Sequence, residues 1–540
     1  RLVGSEMCIR DSCQALENIK EKKPGTFHEA MQLFWLFALL AGVINYGRLD
    51  DYLGPYLVAD LESGRLTDEE AYRYIHSLWT MIENRRTTVN GRIIVGGKGR
   101  KHPKEADVFL HIAMKVAKNC RYVEPQFTLR FDKDTSEEIW DEALDALGAG
   151  ATYPTLYNDD VNVPAVMYGM RVDEKAAEQY VPFGCTEFVI QGQSTGTPNI
   201  CINLLKLLTI YMNDGIDPID GKRKSGPVPL KKLEEYQTFE EFYDGYKALL
   251  DYYLDLSVKA QYHSYEVMNQ HVSFLFTSLL TDDCIARGKA LLDGGVRYLG
   301  GTNETYGNIN TSDSLWVIRD LVFNQKKYTL RQLNDAMLAN FNGYEALRKD
   351  CLNCDKYGND LETADTMAND LYEFVAKGVR NRGIAIGMQY FLIVISNNQL
   401  NTEWGNRTAA SPDGRLSCMY MNPANNPQGG ANKSGPTAML NSLAKFDAKY
   451  HGGSVQNIKF SPSMFNENRA VIKSLFKTYF AKGGCHLMVT VVDKGVLEDA
   501  VEHPENYPDL IVRVSGFSAV FVDLSPNIQQ ELLSRVLYDE

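Results

Sequence analysis

Segments with helical spacing and segments with strand-like alternation succeed one another along almost the whole chain, and this rhythm restricts the fold more than any other feature. Residues 26–44 read as one helix, buried or amphipathic, and 67–83 as another, with Thr67 as N-cap and Glu70 completing a capping box. Residues 93–95 are a short β-branched run entering a glycine-rich loop, Gly96-Gly97-Lys98-Gly99-Arg100. Residues 125–131 alternate as a strand does, and 135–147 return to helical spacing. Apolar runs at 387–396 and 486–492 continue the pattern toward the C-terminus. An α/β architecture is expected, and no repeat, low-complexity tract or clean linker divides it. Residues 1–12 look foreign to the rest of the chain and are expected to be a non-native scar.

Composition narrows the partners. The net charge of −13 argues against nucleic acid or an anionic membrane as the main partner. The longest apolar stretch, residues 33–44, is too short to span a bilayer and reads as a buried helix. The 10 cysteines are scattered rather than framed for disulfides, which fits a reducing, cytoplasmic location. The one close pair, Cys351 and Cys354, has no second pair at zinc-site spacing, so no metal is expected.

Loops rich in Gly, Asn and Pro at 294–310, 406–415 and 422–435 are long enough to carry function. Near the C-terminus, Ile511-Val512-Arg513-Val514-Ser515-Gly516-Phe517-Ser518-Ala519-Val520-Phe521 reads as two apolar strands around a glycine turn. In mid-chain, Val181-Pro182-Phe183-Gly184-Cys185-Thr186-Glu187-Phe188 reads as a loop holding a buried free cysteine.

The C-terminal string closely resembles the signature of glycyl radical enzymes of the pyruvate formate-lyase-like family, and the Gly-Cys-x-Glu segment resembles their mid-chain finger loop. Gly47-Arg48-Leu49-Asp50, residues 125–130, Tyr153-Pro154-Thr155-Leu156-Tyr157-Asn158-Asp159-Asp160, Gly294-Gly295-Val296-Arg297-Tyr298, Ser312-Asp313-Ser314-Leu315, Lys356-Tyr357-Gly358-Asn359-Asp360 and Ser411-Pro412-Asp413-Gly414-Arg415 are similar to the family in the same order, so the resemblance runs from Pro24 to Glu540. It implies a ten-stranded α/β barrel of two antiparallel five-stranded halves, with residues 13–400 as the catalytic barrel domain and 401–540 as the glycine radical domain. Family members carry a couple of hundred residues ahead of the stretch matched at Pro24, so the resemblance also implies an N-terminally shortened barrel.

The resemblance assigns a stored radical to Gly516, a thiyl to Cys185 and a general base to Glu187. Weaker substrate-binding candidates are Asn158, Asp159, His271 and Arg297. The implied reaction is radical C–X bond cleavage of the dehydratase or lyase type, in an anaerobic setting, on a small hydroxylated or zwitterionic substrate. Aryl-acetate decarboxylation is the alternative enzyme chemistry. Formate acetyltransferase-like activity is disfavoured because Gly184-Cys185 stands where that enzyme has two cysteines. The stretch Ala41-Gly42-Val43-Ile44-Asn45-Tyr46 lacks the His-Ser pair of polyol dehydratases. A catalytically inactive binding fragment is the reading from outside enzymology. No cofactor is expected on the chain itself. The radical is expected to be installed by a separate iron–sulfur activating enzyme that uses S-adenosylmethionine, and a homodimer is expected by analogy with relatives.

Overall fold

The computed structural model describes residues 2–43, 45–86, 91–184, 186–196, 198–272, 274–395 and 399–539. In chain order its strands are β1 (Gly47–Arg48), β2 (Arg92–Gly96), β3 (Gln126–Phe131), β4 (Thr155–Asn158), β5 (Tyr180–Phe183), β6 (Glu187–Ile190), β7 (Ser194–Thr195), β8 (Pro198–Asn203), β9 (Tyr298–Tyr306), β10 (Tyr390–Ile395), β11 (His451–Ser454), β12 (Asn457–Phe460), β13 (His486–Val491), β14 (Ile511–Arg513) and β15 (Ser518–Val520). The first sheet runs β1-β2-β3-β4-β13-β12; its two parallel blocks meet antiparallel where β4 pairs with β13. The second runs β11-β10-β9, all parallel, with β7 and β8 both along β9. The pairing gives sheets of six and five strands, the sixth strand of the first sheet being the two-residue β1 at its edge and the five of the second including β7 and β8 as separate short strands along β9.

Strand alternation sorts the side chains into two faces. On the first sheet Ile93, Val95, Phe127, Leu129, Leu156, Leu487 and Val489 face one core with the helices Leu49–Glu62, Asp68–Asn84 and Pro103–Asn119. The opposite face is polar. Arg92 pairs in register with Gln126, Thr128 with Thr155, and Tyr157 with His486. All six are buried. On the second sheet Phe391, Ile393 and Ile395 join the core of the helices Phe239–His271 and Glu362–Ala385. Tyr390 and Leu392 turn the other way, onto Tyr180, Phe188 and Ile190 of the β5–β6 hairpin. That hairpin also meets Tyr157 of the first sheet through Phe188, so it fills the space between the two inner faces.

Several expected elements form for the expected reasons. The helix Asp68–Asn84 carries the full Thr67/Glu70 capping box. Thr26 caps the helix Phe27–Leu40 through the Glu29 amide. That second helix corrects the reading of a buried segment: only Phe27, Ala30, Met31 and Ala38 are buried, while Leu36, Phe37 and Leu40 are exposed, Leu40 at 81%. One of its faces packs inward, and the apolar run continues around the other side. The helix Leu2–Ile19 runs through residue 12 without a break.

A second correction concerns the expected loop at 294–310, which contains β9, the centre of the second sheet. The glycines are there for packing. A Cβ at Gly300 would collide with the Tyr390 ring, and one at Gly301 would lie 2.8 Å from the Phe391 ring. The aromatic rings of β10 occupy the room that side chains on β9 would need.

The family-like strings around Asp313, Lys356 and Asp413 converge on one polar network. The Tyr357 amide donates to Asp313 at 2.9 Å, the Asp413 amide to Ser314 at 3.2 Å, and Asn310 to the Asp413 carboxylate at 2.6 Å. Arg415 is buried among backbone carbonyls, including those of Ala409 and Gly405. This network ties the segment ahead of the C-terminal hairpin to the helices behind the second sheet. The C-terminal hairpin itself has a small core of its own, made by Leu497, Val512, Val514, Phe517, Phe521, Ile528 and Leu532. Among the described residues, no helix is long and apolar enough to cross a membrane.

Candidate active site

The mid-chain motif forms a hairpin, β5–β6, rather than a plain loop, with Phe183 opposite Glu187 in register. Cys185, at its tip, lies outside the described residues. Its neighbours fix where the tip stands. Gly184 has φ +51°, and a Cβ there would come within 2.6 Å of the Glu187 carboxylate, which folds back over the turn. Thr186 is held at φ +140°, a conformation that strains a β-branched residue. Strain of this kind concentrates at functional turns. The Gly184 amide donates to the Asn45 side chain at 3.3 Å, and the Thr186 amide donates to the Glu187 carboxylate at 3.0 Å.

The C-terminal motif forms the β14–β15 hairpin with Gly516 in its buried turn. One side chain joins the two turns: Arg92 donates to the Gly184 carbonyl at 2.8 Å and to the Gly516 carbonyl at 3.4 Å. The residues on which the sequence motifs centre, 332 positions apart for Gly184 and Gly516, therefore meet at the polar inner face of the first sheet.

Glu187 is 4% exposed, and burial, with the nearby charge of Glu304 as the next cause, raises its pKa to about 7. Glu304 stands on β9, itself buried; it accepts from the Tyr306 hydroxyl and from the Cys201 thiol at 3.8 Å. Two carboxylates thus share one desolvated region, and the charge of Glu304 adds to burial in raising the proton affinity of Glu187. Beside them, the rings of Tyr157 and His486 lie 4.5 Å apart. His486 is pushed far down by burial and by the charges of Arg92 and Arg513, so its imidazole is neutral. Several buried polar atoms in this region have no partner among the described residues: Tyr157 Oη, Thr186 Oγ1, Gln126 Nε2, His486 Nε2 and Ser515 Oγ. A buried polar atom without a partner costs ~1–3 kcal/mol, and these five have hydrogen-bonding capacity left for a polar ligand.

The weaker candidates fall elsewhere. Asn158 caps the helix Asp159–Met170 and donates to the carbonyls of Phe480 and Gly484. Asp159 accepts two bonds from Arg130, at 2.9 and 2.8 Å, and one from the Tyr180 hydroxyl at 2.7 Å. Arg130 also holds the carbonyls of Glu178 and Tyr180, so this pair anchors the base of the β5–β6 hairpin. His271 ends an outer helix and is exposed. Arg297 braces its own loop through Asp282, Asp283 and Gln193. His111, Glu138 and Glu142 are the one group of possible metal ligands found among the described residues, and they sit on the outer helices. Four side chains that do frame the site were not among the sequence candidates: Arg92 and His486 carry no local signal, Tyr157 stands in the same family-like string as Asn158, and Glu304 in the stretch read as a loop.

The anchoring pair gives a direct stability test. Asp159→Asn strands the fully buried Arg130 guanidinium and is expected to lower unfolding free energy by ~3–5 kcal/mol in urea titration. A loss under ~1 kcal/mol would show that the pair does not anchor the hairpin.

The family model described as Pyruvate formate lyase-like matches residues 10–400, and the one described as Glycine radical matches 421–522. The chain is 28% identical over 553 residues to trans-4-hydroxy-L-proline dehydratase of Clostridioides difficile, covering 98% of this chain and 69% of that protein. It is 26% identical over 600 residues to the 4-hydroxyphenylacetate decarboxylase glycyl radical subunit of C. difficile strain CD196, covering 98% and 65%. The glycerol-bound B12-independent glycerol dehydratase of Clostridium butyricum superposes with a TM-score of 0.89 at 28% identity, over 98% of this chain and 69% of that one.

Proposed function

Because the chain belongs to the pyruvate formate lyase-like family of glycyl radical enzymes, we propose that it cleaves a C–X bond of a small polar substrate by radical elimination, with Gly516 as radical store, Cys185 as relay and Glu187 as base. The observation that carries this reading is the meeting of the Gly184 and Gly516 turns on Arg92, beside a buried carboxylate with a pKa of about 7.

A hydrogen atom leaves the Cys185 thiol for the Gly516 α-carbon, and the thiyl then takes a hydrogen atom from a substrate carbon. Glu187 accepts a proton from the hydroxyl on that carbon as the neighbouring C–X bond breaks heterolytically. The leaving group departs with its electron pair as water, an amine or sulfite, taking up a proton where its charge requires one. The product radical recovers a hydrogen atom from Cys185. The unpartnered Tyr157, Gln126 and His486 atoms supply hydrogen bonds to the substrate's polar groups. A base near neutral pKa suits proton transfer at physiological pH.

Aryl-acetate decarboxylation is the second reading, favoured by the aromatic rings of Tyr157 and Phe188 beside Glu187. The test is anaerobic electron paramagnetic resonance after treatment with an activating enzyme, and then a substrate screen. A doublet that collapses on glycine α-deuteration, with turnover of a hydroxylated substrate, supports elimination. Turnover of arylacetates alone moves the assignment to decarboxylation. Absence of a signal beside a normally activating control removes both.

A further inference from the structure

The geometry points to Arg92 as a positioning residue, a clamp on the first sheet that sets the approach of the Gly516 turn to the tip of the β5–β6 hairpin. This inference rests on the reading of Gly516 and Cys185 as store and relay. Arg92 opens β2 and is fully buried, at 0% exposure. Its guanidinium donates to Thr128 Oγ1 at 2.9 Å and Gln126 Oε1 at 2.7 Å on the neighbouring strand, and to the carbonyls of Gly184 and Gly516. Among the described residues it makes no ion pair. A buried cation held only by neutral acceptors is expensive, several kcal/mol before its hydrogen bonds offset the cost. Packing alone would be served better by an apolar residue.

The partners divide the labour. Thr128 and Gln126 lock the planar fork, and the 2.8 Å bond to Gly184 fixes the hairpin tip against it. The 3.4 Å bond to Gly516 is the longest of the set. A second arginine, Arg535, holds the carbonyls of Arg513 and Val514, but it sits within the C-terminal unit, paired with Glu531. If the C-terminal unit swings out to expose Gly516, the Arg535 contacts travel with the turn. The Arg92 contact breaks on departure and re-forms on return, so it determines where the glycine α-carbon comes to rest relative to residue 185. Hydrogen-atom transfer needs the two atoms close together, and a misplacement of about 1 Å costs on the order of 100-fold in rate.

The experiment needs no substrate. In D2O the thiol of Cys185 carries deuterium; transfer of that deuterium to the glycyl carbon, followed by return of the protium to sulfur, leaves an α-deuterated glycyl radical and collapses the resonance doublet. Arg92→Gln is expected to keep the radical yield within about twofold while slowing this collapse at least ~30-fold, with Arg92→Lys recovering part of the rate. A collapse rate in Arg92→Gln equal to that of the unaltered enzyme overturns the clamp. A radical in the unaltered enzyme that never exchanges, or no radical at all, instead removes the store-and-relay reading and the clamp with it. If Arg92→Gln does not fold, the double variant Gln126→Leu/Thr128→Val leaves the arginine in place with its fork unheld. It is expected to slow the collapse at least ~5-fold, and an unchanged rate there overturns the proposal equally.

Discussion

Cys185→Ala is expected to retain a full glycyl radical signal while losing turnover by at least ~10⁴-fold, and Gly516→Ala is expected to lose signal and turnover together. The asymmetry comes from the proposed order of events. The radical is installed on Gly516 before Cys185 takes part, so removing the thiol leaves the store intact and breaks the delivery. A glycine α-carbon suits storage because the unpaired electron spreads over the flanking amide and carbonyl with no side chain to twist it from the plane. The buried turn between β14 and β15 shields it from solvent. Oxygen gives an independent readout. Air is expected to cleave the activated wild-type chain and the Cys185→Ala variant at Gly516, releasing a C-terminal piece of about 25 residues, 516–540, and to leave Gly516→Ala intact. Full turnover by Cys185→Ala would take that residue out of the mechanism. An activated chain that stays whole in air, by mass spectrometry, would count against storage at Gly516.

The two motif centres and the α/β class were legible because each has a local cause. A glycine turn between apolar strands and a Gly-Cys-x-Glu string are short-range patterns, and the Thr67/Glu70 box caps its helix within four residues. The rest of the site is long-range. Arg92, Tyr157, Glu304 and His486 come from β2, β4, β9 and β13, and only the strand order of two sheets brings them to the hairpin tip. In sequence Tyr157 lies in the same family-like string as Asn158, Glu304 in the stretch read as a loop, His486 at the head of an apolar run and Arg92 just ahead of a β-branched one, and a polar residue in an alternating strand is ordinarily the mark of a solvated face. Here the polar face looks inward. Asn158 and Asp159 illustrate the opposite error, since their family-like string drew attention although their side chains cap a helix and anchor Arg130. The misplaced loop at 294–310 has the same root. Gly300 and Gly301 look like turn residues until the rings of Tyr390 and Phe391 from β10 are laid over them.

Glu187→Gln is expected to lower turnover by ~10²–10⁴-fold while raising stability at alkaline pH, and the two changes have one cause. Burial and the charge of Glu304 lift Glu187 from its ordinary value of 4.5 to about 7. As a base it must be ionised, so activity is expected to rise about tenfold per pH unit and level off near pH 7. Stability runs the other way. A carboxyl whose folded pKa is raised contributes its stability in full below the unfolded value, and that contribution is lost as pH rises through the folded one. The loss therefore falls between about pH 4.5 and 7, and over that span it amounts to on the order of 3 kcal/mol. Glutamine has no proton to lose, so the variant keeps above pH 7 what the native chain gives up. Glu304→Gln separates the two causes of the shift. Removing the neighbouring charge is expected to move the acid limb of the activity profile below pH 7, while burial, the larger cause, keeps it above 4.5. A profile flat from about pH 5.5 to 8.5 in the native enzyme would exclude Glu187 as the base. A limb that stays in place in Glu304→Gln would mean that burial alone tunes it and that the second carboxylate serves another purpose.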